Sequence, residues 1–172
     1  NGRELFEDCL NSIAPYIDEI IIVIDGESED GCDEVAEAFG AKVFYRELGD
    51  DFAAQRNFSF EQATGDWLLW LDADDLVPPK DPQTGQPCGE KIPELVKQAE
   101  EDGTEVFLFD YQYSFDEHGR VTTVLKRERL MKASLPWEWR YEIHEVCVCD
   151  RDDEPIAAYD PAVYVVHRKH EM

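Results

Sequence analysis

The sequence predicts an α/β protein: a mostly parallel, Rossmann-like sheet with helices on both faces, followed by a mixed or antiparallel second part. Helix-type and strand-type patterns alternate as far as Leu71, which argues for a doubly wound sheet. The runs Ile20–Ile24 and Trp67–Leu71 are apolar throughout, as strands covered on both faces are. Beyond about residue 105 the chain turns β-rich, and a hairpin signal replaces the alternation.

In order, Glu4 to Ile13 sets Leu5, Phe6, Cys9, Leu10 and Ile13 at helical spacing, and Pro15 closes that helix. The strand Ile20–Ile24 ends in the loop Asp25 to Gly31, rich in turn formers and N-caps. A helix fits Asp33 to Phe39 and stops at Gly40; a short strand fits Ala41 to Tyr45. Asp50 to Thr64 reads as a third helix, followed by the strand Trp67–Leu71 and the acidic end Asp72-Ala73-Asp74-Asp75. Pro78 to Gly89 is a loop, and Ile92 to Glu101 is a helix with Ile92, Leu95, Val96 and Ala99 on one side. Val106 to Phe115 and Val121 to Leu130 flank the turn Asp116 to Gly119; Tyr141 to Cys149 and Ala157 to Val166 read as further strands. The chain starts on Asn1-Gly2-Arg3, directly before a helix, whereas a doubly wound fold starts on a strand, so the opening strand is expected to be missing. Residues 1–172 make one domain, with a nucleotide-binding half over 1–80 and an acceptor and metal-completing half over 90–172.

The formal charge of −24, from 40 acidic and 16 basic residues, repels a nucleic acid backbone and anionic lipid alike. It also means that a site for a nucleotide diphosphate needs a cation to offset the local field. No apolar run approaches the roughly 18 residues that span a bilayer, so direct membrane insertion is not expected. Cys9, Cys32, Cys88, Cys147 and Cys149 are odd in number and lack zinc-site spacing, which reads as reduced, mostly buried thiols in a cytoplasmic protein. Trp137 and Trp139 read as core more than as an acceptor pocket, and His170 as a tail residue.

In open α/β sheets ligands bind at the carboxyl ends of strands. Two such ends carry Asp25 and the Asp72/Asp74/Asp75 cluster. Two carboxylates two apart beyond a buried strand make a hard-oxygen site for Mg²⁺ or Mn²⁺. The same spacing recurs at Asp150-Arg151-Asp152, read as a solvated loop; the apolar strand feeding Asp72-Ala73-Asp74 sets that pair apart.

Three segments then form a joint pattern. Asp18 to Gly31 (DEIIIVIDGESEDG) resembles the "DEIIVVDSGSTDGT" segment of glycosyltransferase family 2. Phe52 to Asn57 (FAAQRN) resembles its "FAAARN", and Gly65 to Asp75 (GDWLLWLDADD) its "GDWILWLDADE". Order and spacing agree over the first 80 or so residues; beyond them only Trp139 to Glu145 and the late His167 match. Glu27 and Glu29 replace smaller residues of that loop, and Cys32 replaces threonine.

The resemblance implies a GT-A fold and an inverting transfer of sugar from a nucleoside diphosphate donor to an acceptor hydroxyl. It implies that Asp25 bonds the nucleobase, that Arg56 lies near the base or phosphates, and that Asp72 faces the ribose or sugar. Asp74 would ligate Mn²⁺ or Mg²⁺, with His167 completing the coordination. Glu145 would be the catalytic base, with Glu142 its nearest substitute. A UDP-sugar is the favoured donor, and the acceptor, whether glycan, lipid-linked glycan or protein, is left open. The rival readings are a non-catalytic nucleotide-sugar-binding module and a nucleotidyltransferase; the glycine-rich basic phosphate loop of the latter is not seen.

Overall fold

A computed structural model of the protein describes residues 2–168, so His170 lies outside the described residues. The order is α1 (Gly2–Ile13), β1 (Ile21–Ile24), α2 (Cys32–Ala38), β2 (Lys42–Tyr45), α3 (Phe52–Gln62), β3 (Trp67–Leu69) and β4 (Asp75–Leu76). Then come α4 (Ile92–Asp102), β5 (Val106–Phe115), β6 (Val121–Lys132), β7 (Trp137–Arg140), β8 (Val146–Cys149) and β9 (Ala157–His167). Single 3-10 turns lie at Ala14–Tyr16 and Gly89–Lys91.

Local chemistry explains the helix ends. The Asp51 carboxylate caps α3 by accepting from the Ala54 amide at 2.9 Å, which satisfies one of the donors that open every helix. Pro93 sits in the first turn of α4, where no intrahelical donor is lost, and Gly103 ends that helix with φ of 79°. The apolar stripe of α1 buries Phe6, Cys9, Leu10 and Ile13.

β1 and β2 pair in parallel as a two-stranded sheet. A five-stranded sheet follows the order β3-β6-β5-β9-β4, in which β5 and β9 are parallel and the other neighbours antiparallel. β7 and β8 form a separate antiparallel hairpin. Pro161 falls inside β9 where the register with β5 shifts, between the Leu108–Tyr159 and Asp110–Tyr164 pairs; a bulge is where a strand tolerates proline. The larger core cluster joins Ile13, Leu95, Phe107, Phe109, Leu130, Val163 and Val165, and a smaller one joins Phe6, Leu10, Val35 and Ala36. No described helix is long and apolar enough to cross a membrane.

Two expectations need correction. The strand expected over Tyr141 to Cys149 is a loop up to Glu145 followed by β8, because Tyr141 (φ 74°) and His144 (φ 59°) take left-handed backbone that no strand accommodates. The apolar runs of β1 and β3, expected to be fully covered, are only half-buried at every residue. Among the described residues, each of these strands pairs along one edge only. Trp139 is core, at 4% exposure. All five cysteines are free thiols.

Candidate active site

The chain leaves β3 through Leu71 and turns at once. The Asp75 amide donates to the Asp72 carbonyl at 2.9 Å, and the Asp72 amide to the Asp75 carboxylate (Oδ2) at 3.0 Å. This reciprocal pair fixes the Asp72–Asp75 turn and starts β4. Because β4 lies antiparallel to β9 with Asp75 opposite His167, a histidine 92 positions later in the chain (167 − 75) arrives beside the turn. His167 Nδ1 lies 3.6 Å from Asp74 Oδ1 and 3.7 Å from Asp75 Oδ1. Tyr113 stacks on the imidazole at 5.1 Å, nearly parallel, and Tyr111 meets it edge-on at 5.7 Å. The ring is thereby held in place.

Asp75 is fully buried, and so is its partner Arg129, whose Nη1 donates to Asp75 Oδ2 and to the Trp70 carbonyl, each at 3.0 Å. The guanidinium is stacked over Trp70 at 3.7 Å and over Tyr111 at 4.5 Å. Burial pushes the Asp75 carboxyl up; Arg129 opposes this, Asp72 adds to it, and the nearby Tyr111 hydroxyl helps to hold the charge.

These residues fit a divalent cation. Asp74, Asp75 and His167 bring ligand atoms within 4.8 Å of one another. Asp75 Oδ1 and His167 Nδ1 are buried without a hydrogen-bond partner, an arrangement that is costly unless a cation or proton satisfies both. Two hard oxygens and an imidazole suit Mn²⁺ or Mg²⁺.

Asp72 belongs to a second cluster. Arg56, on α3, donates from Nη2 to Asp72 Oδ1 at 2.6 Å and from Nε to Glu145 Oε1 at 2.9 Å. Its guanidinium packs against both Trp70 and Trp139, 4.7 and 4.8 Å from the ring centres, and the two rings meet each other edge-on. Burial alone would lower the Arg56 pKa, but the two carboxylates outweigh it and raise the value, so the cation is fixed. The loop bearing Glu145 is moored to the same helix: Asn57 Nδ2 donates to the Trp139 carbonyl at 2.9 Å, and the Trp139 amide donates to Asn57 Oδ1 at 2.8 Å. The Phe52 amide donates to the Glu142 carbonyl at 3.1 Å. Asp25 is exposed at the end of β1 and accepts from the Leu48 amide at 2.8 Å. It does not cap α2, whose N-cap is Gly31. The end of β1 at Val23 and the turn at Asp72 and Ala73 line one cavity of about 260 Å³, so the two strand ends open on common space.

A family model for glycosyl transferase family 2 matches residues 1–153. The chain belongs to glycosyl transferase family 2. Its fold is the GT-A fold, shared with the Staphylococcus aureus protein TarS. The TarS structure in complex with UDP superposes with a TM-score of 0.60 at 16% identity, covering 93% of this chain and 58% of that one. The complex with UDP-GlcNAc gives 0.60 at 16%, over 92% and 56%. Among sequences, a TPR repeat-containing protein of Synechococcus elongatus is 44% identical over 72 residues, 42% of this chain. The SPbeta prophage-derived glycosyltransferase SunS of Bacillus subtilis is 31% identical over 77 residues, 44% of this chain. Each match spans 18% of the relative's own length.

Of the residues singled out in this family 2 domain, Asp74 and His167 come together, as do Arg56, Asp72 and Glu145. Among the described residues no hydrogen bond or ion pair ties Asp25 to either group. Sequence reasoning placed Asp75 in the acidic cluster without giving it a role, and missed Arg129 and Asn57. Asp75 carried a signal, as a third consecutive-turn acid leading into the apolar Leu76-Val77. Arg129 sits in the charged stretch Lys126-Arg127-Glu128-Arg129, where nothing local distinguishes it.

Proposed function

We propose that this domain transfers a glycosyl group from a nucleoside diphosphate sugar, a UDP-sugar in first place, to an acceptor hydroxyl with inversion at the anomeric carbon. The observation that carries the reading is the meeting of Asp74, Asp75 and His167 beside the Arg56–Asp72–Glu145 chain, at the carboxyl end of β3. Family membership supports it, and so do the TarS structures that hold UDP and UDP-GlcNAc.

Asp74, Asp75 and His167 would hold a divalent cation, and the chemistry it would supply there is neutralisation of the charge on a leaving diphosphate. Glu145 takes the acceptor proton as the hydroxyl attacks from the face opposite the leaving group. Its Oε1 is engaged by Arg56, and no hydrogen bond of the described residues reaches Oε2, which is the atom left for the acceptor. Arg56 orients that carboxylate and ties it to Asp72, which faces the ribose or sugar, so donor and base share one mounting. Asp25 bonds the nucleobase with the oxygen that Leu48 does not use. One displacement suffices and no covalent enzyme intermediate forms.

The test is transfer or slow hydrolysis of UDP-GlcNAc, followed by release of UDP, with Mn²⁺ and with chelator. Asp74→Ala should abolish metal-dependent stabilisation by UDP in a thermal titration. Glu145→Gln should keep that stabilisation and lose turnover. Full turnover by Glu145→Gln moves the base to Glu142. Metal-dependent UDP binding with no turnover on any nucleotide sugar makes the domain a binding module.

A further inference from the structure

We infer that the acceptor of the proposed transfer is an uncharged saccharide, held on a rim formed by Phe52, Tyr141 and Ile143; this rests on the transferase reading above. Glu145 ends the loop over 141–145 that joins β7 to β8, and every residue from Tyr141 to His144 is exposed. A hydroxyl that approaches the half-buried Glu145 carboxylate meets this loop.

Exposure and backbone both mark the rim. Tyr141 at 69% and Ile143 at 63% are the most exposed large hydrophobic side chains of the described residues, and Phe52 is exposed at 45%. Single exposed apolar residues are ordinary, but a group of them on adjoining loops marks a binding surface. Asp50 (φ 62°), Tyr141 (φ 74°) and His144 (φ 59°) are also the non-glycine residues with left-handed backbone among the described residues. All lie in two loops that touch, since the Phe52 amide donates to the Glu142 carbonyl at 3.1 Å. Such backbone is costly for a side chain as bulky as tyrosine, and it collects at ligand sites. Glycine would make the same turn without strain, so the turn does not account for the ring.

The rim and the base share a support. Phe52 precedes Arg56 by four positions, one turn along the same side of α3, and Arg56 holds Glu145. The Asp51 cap fixes the start of that helix, and Asn57 binds the Trp139 main chain just before the loop. An acceptor seated on Tyr141 and Ile143 is thereby placed at a fixed distance from the carboxylate that takes its proton.

Charge selects the class of acceptor. Glu47, Asp50 and Glu142 are exposed on these two loops, and no ion pair of the described residues engages them. Arg140, next to Tyr141, is already taken by Glu138 and Asp150. On a chain of net charge −24, an acceptor that carries phosphates or carboxylates is repelled here. An uncharged saccharide is not. Its hydroxyls donate to the carboxylates in charge-assisted bonds, and its C–H faces pack on an exposed ring and an aliphatic side chain. A peptide offers far fewer hydroxyl donors for the same carboxylates.

The test follows main-chain amide signals by NMR, with UDP and Mn²⁺ and without them, during titration with maltotetraose, cellotetraose and chitotetraose. Tetragalacturonate is the anionic comparator, and an uncharged serine-rich peptide the non-saccharide one. At least one neutral tetrasaccharide should shift the amides of residues 50–52 and 141–145, and should accelerate UDP release from UDP-GlcNAc. Tyr141→Gly suits the φ of 74° and removes the ring, so it should melt no lower than the parent. It should nevertheless weaken saccharide binding by about tenfold, whereas Tyr141→Phe should keep the affinity. The inference is overturned if none of the three saccharides shifts these amides, or if tetragalacturonate or the peptide binds as well as they do. Undiminished affinity in Tyr141→Gly overturns it too, as does a bound saccharide that leaves UDP release unchanged in a protein that hydrolyses UDP-GlcNAc. Hydrolysis of UDP-GlcNAc by water alone reads the transferase assignment separately, so loss of that assignment is told apart from loss of this one.

Discussion

Replacing Arg129 by Met should cost this domain about 3–5 kcal/mol, the penalty for leaving a buried carboxylate without its counter-charge. The structure sets that size. Arg129 and Asp75 both have side-chain exposure of 0%, so water cannot take over the lost role. With Arg129 gone, Asp75 keeps the Asp72 amide at Oδ2 and the nearby Tyr111 hydroxyl, neither of which carries the charge that Arg129 supplied. The Trp70 carbonyl loses a donor as well. Met fills much of the space against Trp70 and Tyr111, which confines the loss mainly to charge. For a domain of this size each kcal/mol moves Tm by about 2–4 °C, so the expected fall is roughly 6–20 °C in chelator by calorimetry. The double variant Arg129→Met/Asp75→Leu removes both charges and should regain most of the loss, since well-packed apolar replacements of buried ion pairs are often neutral or stabilising. A single variant that melts within 2 °C of the parent would refute the assignment of this pair, as would a double variant no more stable than the single one.

Three further outcomes follow from named contacts. Asn57→Ala removes both bonds to the Trp139 main chain, so it should cost about 1–3 kcal/mol per orphaned group and loosen the Glu145 loop; denaturant unfolding and UDP release measure the two effects, and turnover should fall more than donor affinity. Glu19 is held down to about 2 by the Lys42 side chain and then by Thr64; its contribution is complete above the unfolded value near 4.5 and is lost as pH falls through 2, so Glu19→Gln should lower Tm at pH 6 and narrow its gap to the parent near pH 2. A gap that stays constant over that range contradicts the pairing. Cys9 is pushed up to about 12, by burial first and then by Asp75 and Asp72, so at pH 8 it should react with a thiol reagent only on unfolding; prompt reaction in the folded protein would show that α1 is not seated as described.

The parts of the fold that could be read from sequence are those in which one segment states its own surroundings. Ile20–Ile24 and Trp67–Leu71 are apolar enough to demand a sheet, and the spacing of Phe6, Cys9, Leu10 and Ile13 defines the buried side of α1. Two residues of β4 hold no periodicity, so its pairing with β9, which brings His167 to Asp75, had no local trace; His167 was reached through the resemblance alone. Tyr141 to Cys149 reads as a strand by composition, and only the left-handed turns at Tyr141 and His144 break it. Arg129 is the sharpest case. Its neighbour Lys126 is an exposed cation, whereas Arg129 is buried where the β5–β6 register shifts, skipped between the Leu108–Glu128 and Phe107–Leu130 pairs, and there it meets an acid 54 positions away. A buried acid thus predicts a buried base somewhere in the chain, while only the tertiary register says which one.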